Sequence, residues 1–169
     1  MNLWPEKEGI RFIVSRELGR LARWLRILGY DTSYFNSTDK RNLLITALRE
    51  ERLIITRTSA LKDHHGLEMV YIESDKVEKQ IKQVITELKL IIPQKVLFSR
   101  CVECNQILQN ISKQEAEGKV PPDVFKTVEQ FRKCPDCKKI YWVGTHWNNV
   151  KKFAAQLGVL SRRTTDEDR

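Results

Sequence analysis

The stretch Arg11-Phe-Ile-Val-Ser-Arg-Glu-Leu-Gly-Arg-Leu-Ala-Arg-Trp-Leu-Arg-Ile-Leu-Gly-Tyr-Asp-Thr-Ser-Tyr-Phe35 decides the fold predicted for this chain. Residues 11–15 form a short apolar run that is typical of a buried strand. Residues 16–28 carry leucines at helical spacing and end at Gly29, a residue that favours helix termination. A second strand is predicted over 31–35. A strand, a helix and a strand in this order predict a right-handed crossover and a parallel sheet.

Strands and helices alternate again further along the chain. We predict strands over 52–57 and 67–73 and helices over 39–50 and 75–90. The first of these helices begins at Asp39, a residue that caps helix N-termini well. Pro93 then marks a linker. We therefore expect an α/β domain over residues 9–93, with a mostly parallel sheet and flanking helices.

The four cysteines of the chain form two pairs, Cys101-Val-Glu-Cys104 and Cys134-Pro-Asp-Cys137, with 29 residues between them. Each Cys-x2-Cys turn presents two thiolates, so two turns side by side complete a tetrahedral sulfur site for Zn²⁺. We predict a small zinc ribbon over 97–156, with all four cysteines as structural zinc ligands, and a flexible tail over 157–169. Thioredoxin-like redox chemistry is the main alternative, but it needs only one such pair.

The charge and the hydropathy of the chain indicate which kinds of partner, nucleic acid or membrane, it could bind. The chain has 30 basic and 22 acidic residues, for a formal charge of +8. This balance favours a polyanionic partner, most simply nucleic acid, although a basic solvated surface is the alternative. No apolar run approaches the roughly 20 residues that cross a bilayer, and the N-terminus does not resemble a secretion signal. We expect a cytoplasmic protein without a membrane partner, in which disulfides are disfavoured.

The first predicted helix has what we call the arginine face, which consists of Arg16, Arg20, Arg23 and Arg26. These residues recur at steps of four, three and three and fall within an arc of roughly 120°, opposite the leucines. Guanidinium groups offer planar forks of donors that suit phosphate, so we predict that all four contact nucleic acid. An ordinary solvated amphipathic helix is the alternative. Trp24 lies between the two faces, where it could stack on a base or be partly buried.

Several stretches of the chain resemble a known family. They are residues 12–32, Ile54-Ile-Thr-Arg57, and the ribbon motifs at 100–105, 131–137 and 140–147. Together they resemble the Mut-seven C-terminal RNase domain family, over about residues 11 to 155. The resemblance implies that residues 9–93 form a PIN-like nuclease fold, that a zinc ribbon follows it, and that RNA is the partner.

The chain departs from this family at the acidic positions of the nuclease centre. The first strand of the family usually ends in Val-Asp, and its third strand runs into Thr-Arg-Asp. Here Ser15 and Thr58 stand at those two positions, and Asp39 is the retained acid. Hydroxyl groups are weak, neutral ligands for Mg²⁺ or Mn²⁺, so the loss of two carboxylates predicts a steep drop in metal affinity.

Other residues could rebuild an acidic site. Glu17, Asp63 and Glu73 are candidates, and Glu17 is one turn from Ser15. His64-His65 could ligate a metal or act as an acid and base, although a polar loop is the simpler interpretation. Asp31 opens a strand, at the wrong end of the sheet for this metal, and is assigned a structural role.

We therefore predict an RNA-binding protein whose nuclease site is degenerate. Arg57, His146 and Trp147 complete the predicted RNA-binding set. One alternative is an active endoribonuclease with a rearranged site, in which Asp39 would be catalytic and Mg²⁺ or Mn²⁺ would be the cofactor. A second alternative is an adaptor that binds protein partners through its zinc ribbon; the sequence does not identify such partners.

Overall fold

The computed structural model describes residues 9–62 and 66–158. Its first sheet has the strand order β2-β1-β3-β4, and every neighbouring pair is parallel. The strands are β1 (Arg11–Ser15), β2 (Asp31–Phe35), β3 (Leu53–Thr56) and β4 (Met69–Tyr71). The predicted α/β class with a parallel sheet is therefore confirmed.

Helices flank this sheet. They are α1 (Gly19–Ile27), α2 (Lys40–Arg49) and α3 (Val77–Leu88), with 3₁₀ turns at Arg16–Leu18, Ser59–Leu61 and Gln94–Val96. The helix predicted over 16–28 thus starts as a 3₁₀ turn. This turn carries Glu17 back to the strand ends, where its carboxylate accepts a hydrogen bond from the backbone N–H of Arg57. None of the helices in the described ranges has both the length and the apolar character that a membrane crossing needs.

The central strand β1 is buried on both faces, as is usual for a parallel sheet covered by helices. Phe12 and Val14 belong to the large core that includes α1 and α3. Ile13 points the other way, into a smaller core with Leu43 and Ala47 of α2. The alternation of side chains along β1 therefore separates two helical layers.

The C-terminal part contains an antiparallel sheet of order β5-β6-β7, made of Gln109–Ile111, Phe131–Lys133 and Ile140–Trp142. Two short helices, α4 (Lys113–Ala116) and α5 (Pro122–Thr127), lie between β5 and β6. Phe131 packs with Ala116 and Val120 in a cluster of its own. A ribbon of this size buries little apolar surface, so it needs help from a metal or from neighbouring elements.

The last helix, α6 (Thr145–Gln156), returns to the parallel sheet. Its Ala154 is fully buried in the large core, and Phe153 packs on Trp24 of α1 with ring centroids 5.1 Å apart. The helix thus covers the first part of the chain although it follows the antiparallel sheet in sequence. The boundary drawn at 93–97 stays a prediction, and residues 159–169 of the predicted tail lie outside the described ranges.

Arg26 corrects the predicted arginine face, because its side chain is buried, with 7% exposure. Its Nε donates to the Thr32 carbonyl at 2.9 Å, and its Nη1 donates to the carbonyls of Val102 at 2.7 Å and Glu103 at 2.9 Å. The prediction that Arg26 is free to bind nucleic acid is wrong. Helical spacing places it beside the other arginines, but the first cysteine turn packs onto this end of the face.

A second contact ties the same turn to the sheet. Asn105 donates from Nδ2 to Asp31 at 2.8 Å and accepts from the Thr32 N–H at 2.9 Å. Asp31 also accepts from Arg52 at 2.6 Å. Burial raises the pKa of Asp31, but the hydrogen bonds from Arg52 and Asn105 outweigh it and hold the pKa below its ordinary value. Asp31 therefore joins β2, the start of β3 and the cysteine turn.

Gly29 is expected to be essential for the end of α1. Its φ is +96°, and a Cβ added there would lie 2.5 Å from the Val96 carbonyl oxygen. We expect Gly29→Ala to lower the free energy of unfolding by about 3 kcal/mol, because backbone strain and a clash with main-chain atoms add. Urea denaturation would measure the change.

Gly118→Ala is the matched control for this substitution. Gly118 also has a positive φ, +68°, but an added Cβ would meet no atom within 4 Å. It should therefore cost only the strain, about 1 kcal/mol. Equal losses at both positions would contradict the importance of the close approach between Gly29 and Val96.

Candidate functional site

The first candidate site, which we call the strand-end site, lies where β1 and β3 end. Parallel pairing brings Ser15 next to Thr56, whose Oγ1 is 3.0 Å from the Ser15 Oγ. A cavity of about 370 Å³ opens beside them. Its wall includes Ser15, Glu17, Asp39 and Thr58. This is the edge of a parallel sheet at which reactive groups gather.

Glu17 is the acid at the centre of this site. Its Oε1 accepts hydrogen bonds from the Ser15 hydroxyl at 2.6 Å, from the hydroxyls of Thr56 and Thr58 at 3.2 Å each, and from the Arg57 N–H at 2.8 Å. One carboxylate oxygen thus faces four donors. Donor groups repel a cation, so the contacts around Oε1 suit the carboxylate itself rather than a metal ion.

The charge of Glu17 follows from these contacts. Burial raises the pKa of its carboxyl, but the hydrogen bonds from Ser15, from the Arg57 N–H and from Thr56 together leave the pKa below its ordinary value. Glu17 is therefore ionised at neutral pH. Its carboxylate, although the residue is exposed, satisfies the polar groups at the ends of two strands.

The other acids predicted for this site have different surroundings. Asp39 lies on the wall of the cavity, but it is exposed, and its Oδ1 caps α2 by accepting from the Asn42 N–H at 3.0 Å. Glu73 is exposed beyond β4 and is not part of this wall. Asp63 and His64-His65 lie outside the described residues. Strand-end carboxylates therefore form no group of three within residues 9–62 and 66–158.

The four cysteines form the second site. Their sulfur atoms all lie within 4.8 Å of one another, in an arrangement that can hold a metal ion. Cys101 and Cys134 are buried, whereas Cys137 is exposed. The sequence therefore predicted this cluster correctly, because two Cys-x2-Cys turns have few other ways to use four free thiols.

The two cysteine turns are built alike. The Cys101 N–H donates to the Gln106 carbonyl and the Asn105 N–H donates to the Cys101 carbonyl, at 2.8 and 2.9 Å. The second turn repeats both bonds, between Cys134 and Lys139 at 2.9 Å and between Lys138 and Cys134 at 3.1 Å. Asn105 and Lys138 both have positive φ, +66° and +63°. This shared geometry aims the sulfur atoms of both turns at one point.

Tyr141 supports the cysteine cluster from β7. Its hydroxyl lies 3.1 Å from the Cys101 sulfur. Burial raises the pKa of the Cys101 thiol, but hydrogen bonds from Tyr141 and from the Cys104 N–H lower it to about 7. Burial and the neighbouring Cys101 raise the pKa of Tyr141, so the tyrosine stays protonated and donates. Tyr141 therefore stabilises the first thiolate.

The third site is a cavity of about 580 Å³ between α1, the ribbon and the start of α6, which we call the aromatic cleft. Its aromatic walls are formed by Trp24, Phe98, Tyr141, Trp142 and Trp147, and its charged residues are Arg20, Arg23, Arg132, Lys139 and Glu103. Four cations and one carboxylate thus surround a mostly apolar space. Such a lining is typical of surfaces that bind single-stranded nucleic acid.

The aromatic side chains of the cleft differ in what covers them. Trp147 stacks on Phe98 with centroids 4.4 Å apart, and Lys151 Nζ lies 5.6 Å from its ring. The predicted RNA-binding residue Trp147 is therefore enclosed by its neighbours. Trp142 is 37% exposed, and it has no ring partner among the described residues.

Sequence reasoning left Trp142 out of the predicted binding set. One signal could have found it, because side chains alternate along a strand and Tyr141 faces the cysteines. The neighbouring Trp142 must then face away from the cysteine cluster. His146, which was predicted, is exposed and lies on the same wall.

The remaining arginines of the predicted binding set lie at one or the other of the two cavities. Arg16 lines the strand-end cavity and Arg20 lines the cleft, and both are exposed. Neither forms an ion pair in the described part of the chain. Arg23 is exposed as well, but both oxygens of Glu103 lie 2.9 Å from its Nη2. Arg57 is half-exposed at the strand-end site.

Replacing the central carboxylate should change how stability depends on pH. A folded-state pKa below the ordinary value gives stability that is present above about pH 4.3 and is lost as the pH falls through the folded pKa. We expect Glu17→Gln to be less stable than the wild type at pH 7. The difference should shrink by pH 3, as measured by urea denaturation.

Glu78→Gln provides the control for this change. Glu78 is exposed on α3 and makes no hydrogen bond or ion pair with any residue that the structure describes. Its substitution should change the pH dependence of stability less than Glu17→Gln does. A constant difference between the wild type and Glu17→Gln at both pH values would contradict the role of Glu17.

Comparison with known proteins agrees with the family resemblance of the sequence. Residues 10–154 match the family model described as the Mut7-C RNAse domain. No curated protein gives a significant match. The matched range includes both the parallel sheet and the cysteine cluster. Because the match covers most of the 169 residues, the chain belongs to the Mut7-C RNAse domain family.

Proposed function

We propose that this protein binds RNA and that its nuclease centre is degenerate. The observation that carries the proposal is the set of contacts around Glu17, where three hydroxyls and one backbone N–H donate to a single carboxylate oxygen. A metal-dependent nuclease needs several carboxylates that converge on Mg²⁺ or Mn²⁺. At the strand-end site, hydrogen-bond donors face Glu17, whereas a metal-dependent centre needs acceptor oxygens that face the ion. Activation of water by a bound ion therefore has little support.

The exposed arginines support the binding half of the proposal. Arg16 and Arg20 lie on one face and lead from the strand-end site to the aromatic cleft. Their guanidinium groups form no ion pair within the described residues and can therefore donate hydrogen bonds to the oxygens of a phosphate backbone. RNA follows from the family, whose model is that of an RNase domain. Arg57, Arg23 and His146 extend the proposed surface.

The cysteine cluster fits zinc. A tetrahedral site with Zn–S bonds of about 2.3 Å needs sulfur atoms about 3.8 Å apart. The Cys101 and Cys137 sulfurs are 3.7 Å apart. Four protein ligands leave no open position, so the ion would be structural and would supply folding free energy. Free thiols of this kind persist in reducing compartments, which favours the cytoplasm.

One observation favours an active nuclease as the second candidate. The Oε2 of Glu17 accepts no hydrogen bond from the described residues, and Asp39 lines the same cavity. These two carboxylates could together hold one Mn²⁺ ion. In that case, Glu17 and Asp39 would both be required for cleavage. A protein adaptor has no comparable observation in its favour.

Removing a cysteine tests the metal. We expect Cys134→Ser to lose bound zinc, as measured by native mass spectrometry, and to melt at a lower temperature than the wild type. The physical reason is that structural zinc contributes folding free energy and that Cys134 is buried in the cluster. A wild-type protein that contains no metal, and a Cys134→Ser variant that melts at the same temperature, would contradict the proposed site.

Reversing two charges tests RNA binding. We expect the double variant Arg16→Glu/Arg20→Glu to bind a labelled oligoribonucleotide at least tenfold more weakly. Loss of two phosphate contacts should also reduce the slope of log affinity against log salt by roughly one to two. Fluorescence anisotropy at several salt concentrations would measure both quantities. Arg23 is left intact because Arg23→Glu would also place two carboxylates together at Glu103.

Lys79→Glu/Lys82→Glu is the control of equal charge change, since both lysines are exposed on α3 and line neither cavity. Equal losses in both double variants would mean a nonspecific effect of net charge.

A cleavage assay tests the second candidate, in which the same RNA would be incubated with Mn²⁺. Cleavage that Glu17→Gln abolishes and Glu78→Gln leaves intact would replace the degenerate centre by the second candidate.

A further inference from the structure

We infer that the aromatic cleft binds an unpaired nucleobase and that Trp142 is its stacking platform, so that the RNA partner is single-stranded. The inference rests on the proposed function, because it names the form of RNA that the arginines would bind. It assigns a binding role to Trp142, to Gln130 and to the cleft as a whole.

Trp142 is the first observation. Among the described tryptophans, Trp24 packs on Phe153 at 5.1 Å and Trp147 packs on Phe98 at 4.4 Å, whereas Trp142 has no ring partner. It nevertheless lines the aromatic cleft and is 37% exposed. A large indole ring in this position offers a free π-face, and every base can stack on such a face.

The size and the walls of the cleft are the second observation. Its volume of about 580 Å³ lies within the roughly 300–1,000 Å³ of pockets that bind small molecules. The packed pair of Phe98 and Trp147 forms a rigid apolar wall. Trp142 and Val143 add exposed apolar surface. The cleft can therefore take up the apolar faces of a nucleotide base.

The charges at the cleft are the third observation. Arg20 is exposed on the wall and has no ion-pair partner in the described ranges. The only carboxylate of the lining that the structure describes, Glu103, is already neutralised, because Arg23 binds it at 2.9 Å and Lys139 lies 3.7 Å from it. The cleft is thus positively charged beside an apolar surface. This combination matches a nucleotide better than it matches an apolar peptide.

Polar groups at the cleft can contact the edge of a base. Gln130, Thr145 and His146 are exposed on the wall, and none of them has a side-chain partner among the described residues. An amide, a hydroxyl and an imidazole together supply both donors and acceptors. Bases in a duplex have their edges paired and their faces stacked, so only an unpaired base can use these groups together with Trp142.

The experiment compares two forms of one RNA. Fluorescence anisotropy would measure binding of a single-stranded oligoribonucleotide and of the duplex of the same sequence. We expect the single strand to bind more tightly and Trp142→Ala to weaken its binding about tenfold, as loss of one stacking contact predicts. Trp142→Phe keeps an aromatic face and should retain most of the affinity. Duplex binding should not respond to Trp142→Ala.

Ile107→Ala is the control, since Ile107 is an exposed apolar residue that lines neither cavity. It should bind the single strand as the wild type does. Adenosine 5′-monophosphate provides a second readout, because it should quench tryptophan fluorescence more strongly in the wild type than in Trp142→Phe, where only Trp24 and Trp147 of the cleft tryptophans remain. Circular dichroism of each variant would verify that the fold is intact.

The outcomes separate this inference from the proposed function. Equal binding of single-stranded and duplex RNA, or unchanged binding by Trp142→Ala, would overturn the inference. If the Arg16→Glu/Arg20→Glu variant still lost binding in that case, the proposed RNA-binding function would stand. Absence of binding to either RNA would overturn both, and the cleft would then be open to a protein partner.

Discussion

The buried guanidinium of Arg26 is the interaction on which the rest of the molecule depends. A buried charge is costly unless it is hydrogen-bonded, and Arg26 donates to three carbonyls from two separate parts of the chain. One carbonyl belongs to β2, and two belong to the first cysteine turn. The position of the cysteine turn on α1 is therefore fixed. The walls of the aromatic cleft come from both sides of this contact, so its shape follows from it.

The strand-end site is organised around one carboxylate. A metal centre at this edge surrounds a cation with acceptors, whereas here hydroxyls and a backbone N–H surround the anion of Glu17. One carboxylate thereby satisfies donors at the ends of both strands. Ser15 and Thr58 therefore help to order this sheet edge through their hydrogen bonds to Glu17.

Local pattern predicted the elements of this structure better than their contacts. The leucine spacing of α1 and the two Cys-x2-Cys pairs depend on neighbours in sequence, and both the parallel sheet and the cysteine cluster followed from them. The burial of Arg26 depends on carbonyls 76 and 77 residues away, which periodicity does not reveal. Glu17 was one of three candidate acids until the 3₁₀ turn set its direction. Trp142 was missed because its exposure depends on the packing of three elements.

The return of α6 has a consequence for synthesis on the ribosome. Ala154 lies within the core of the first sheet, and Phe153 covers Trp24 of α1. The nascent chain emerges from its N-terminus, so this side of Trp24 stays uncovered until Phe153, 129 residues later, has been made. Co-translational completion of the domain is impossible before the last helix leaves the exit tunnel. The growing polypeptide therefore exposes this apolar surface throughout that interval.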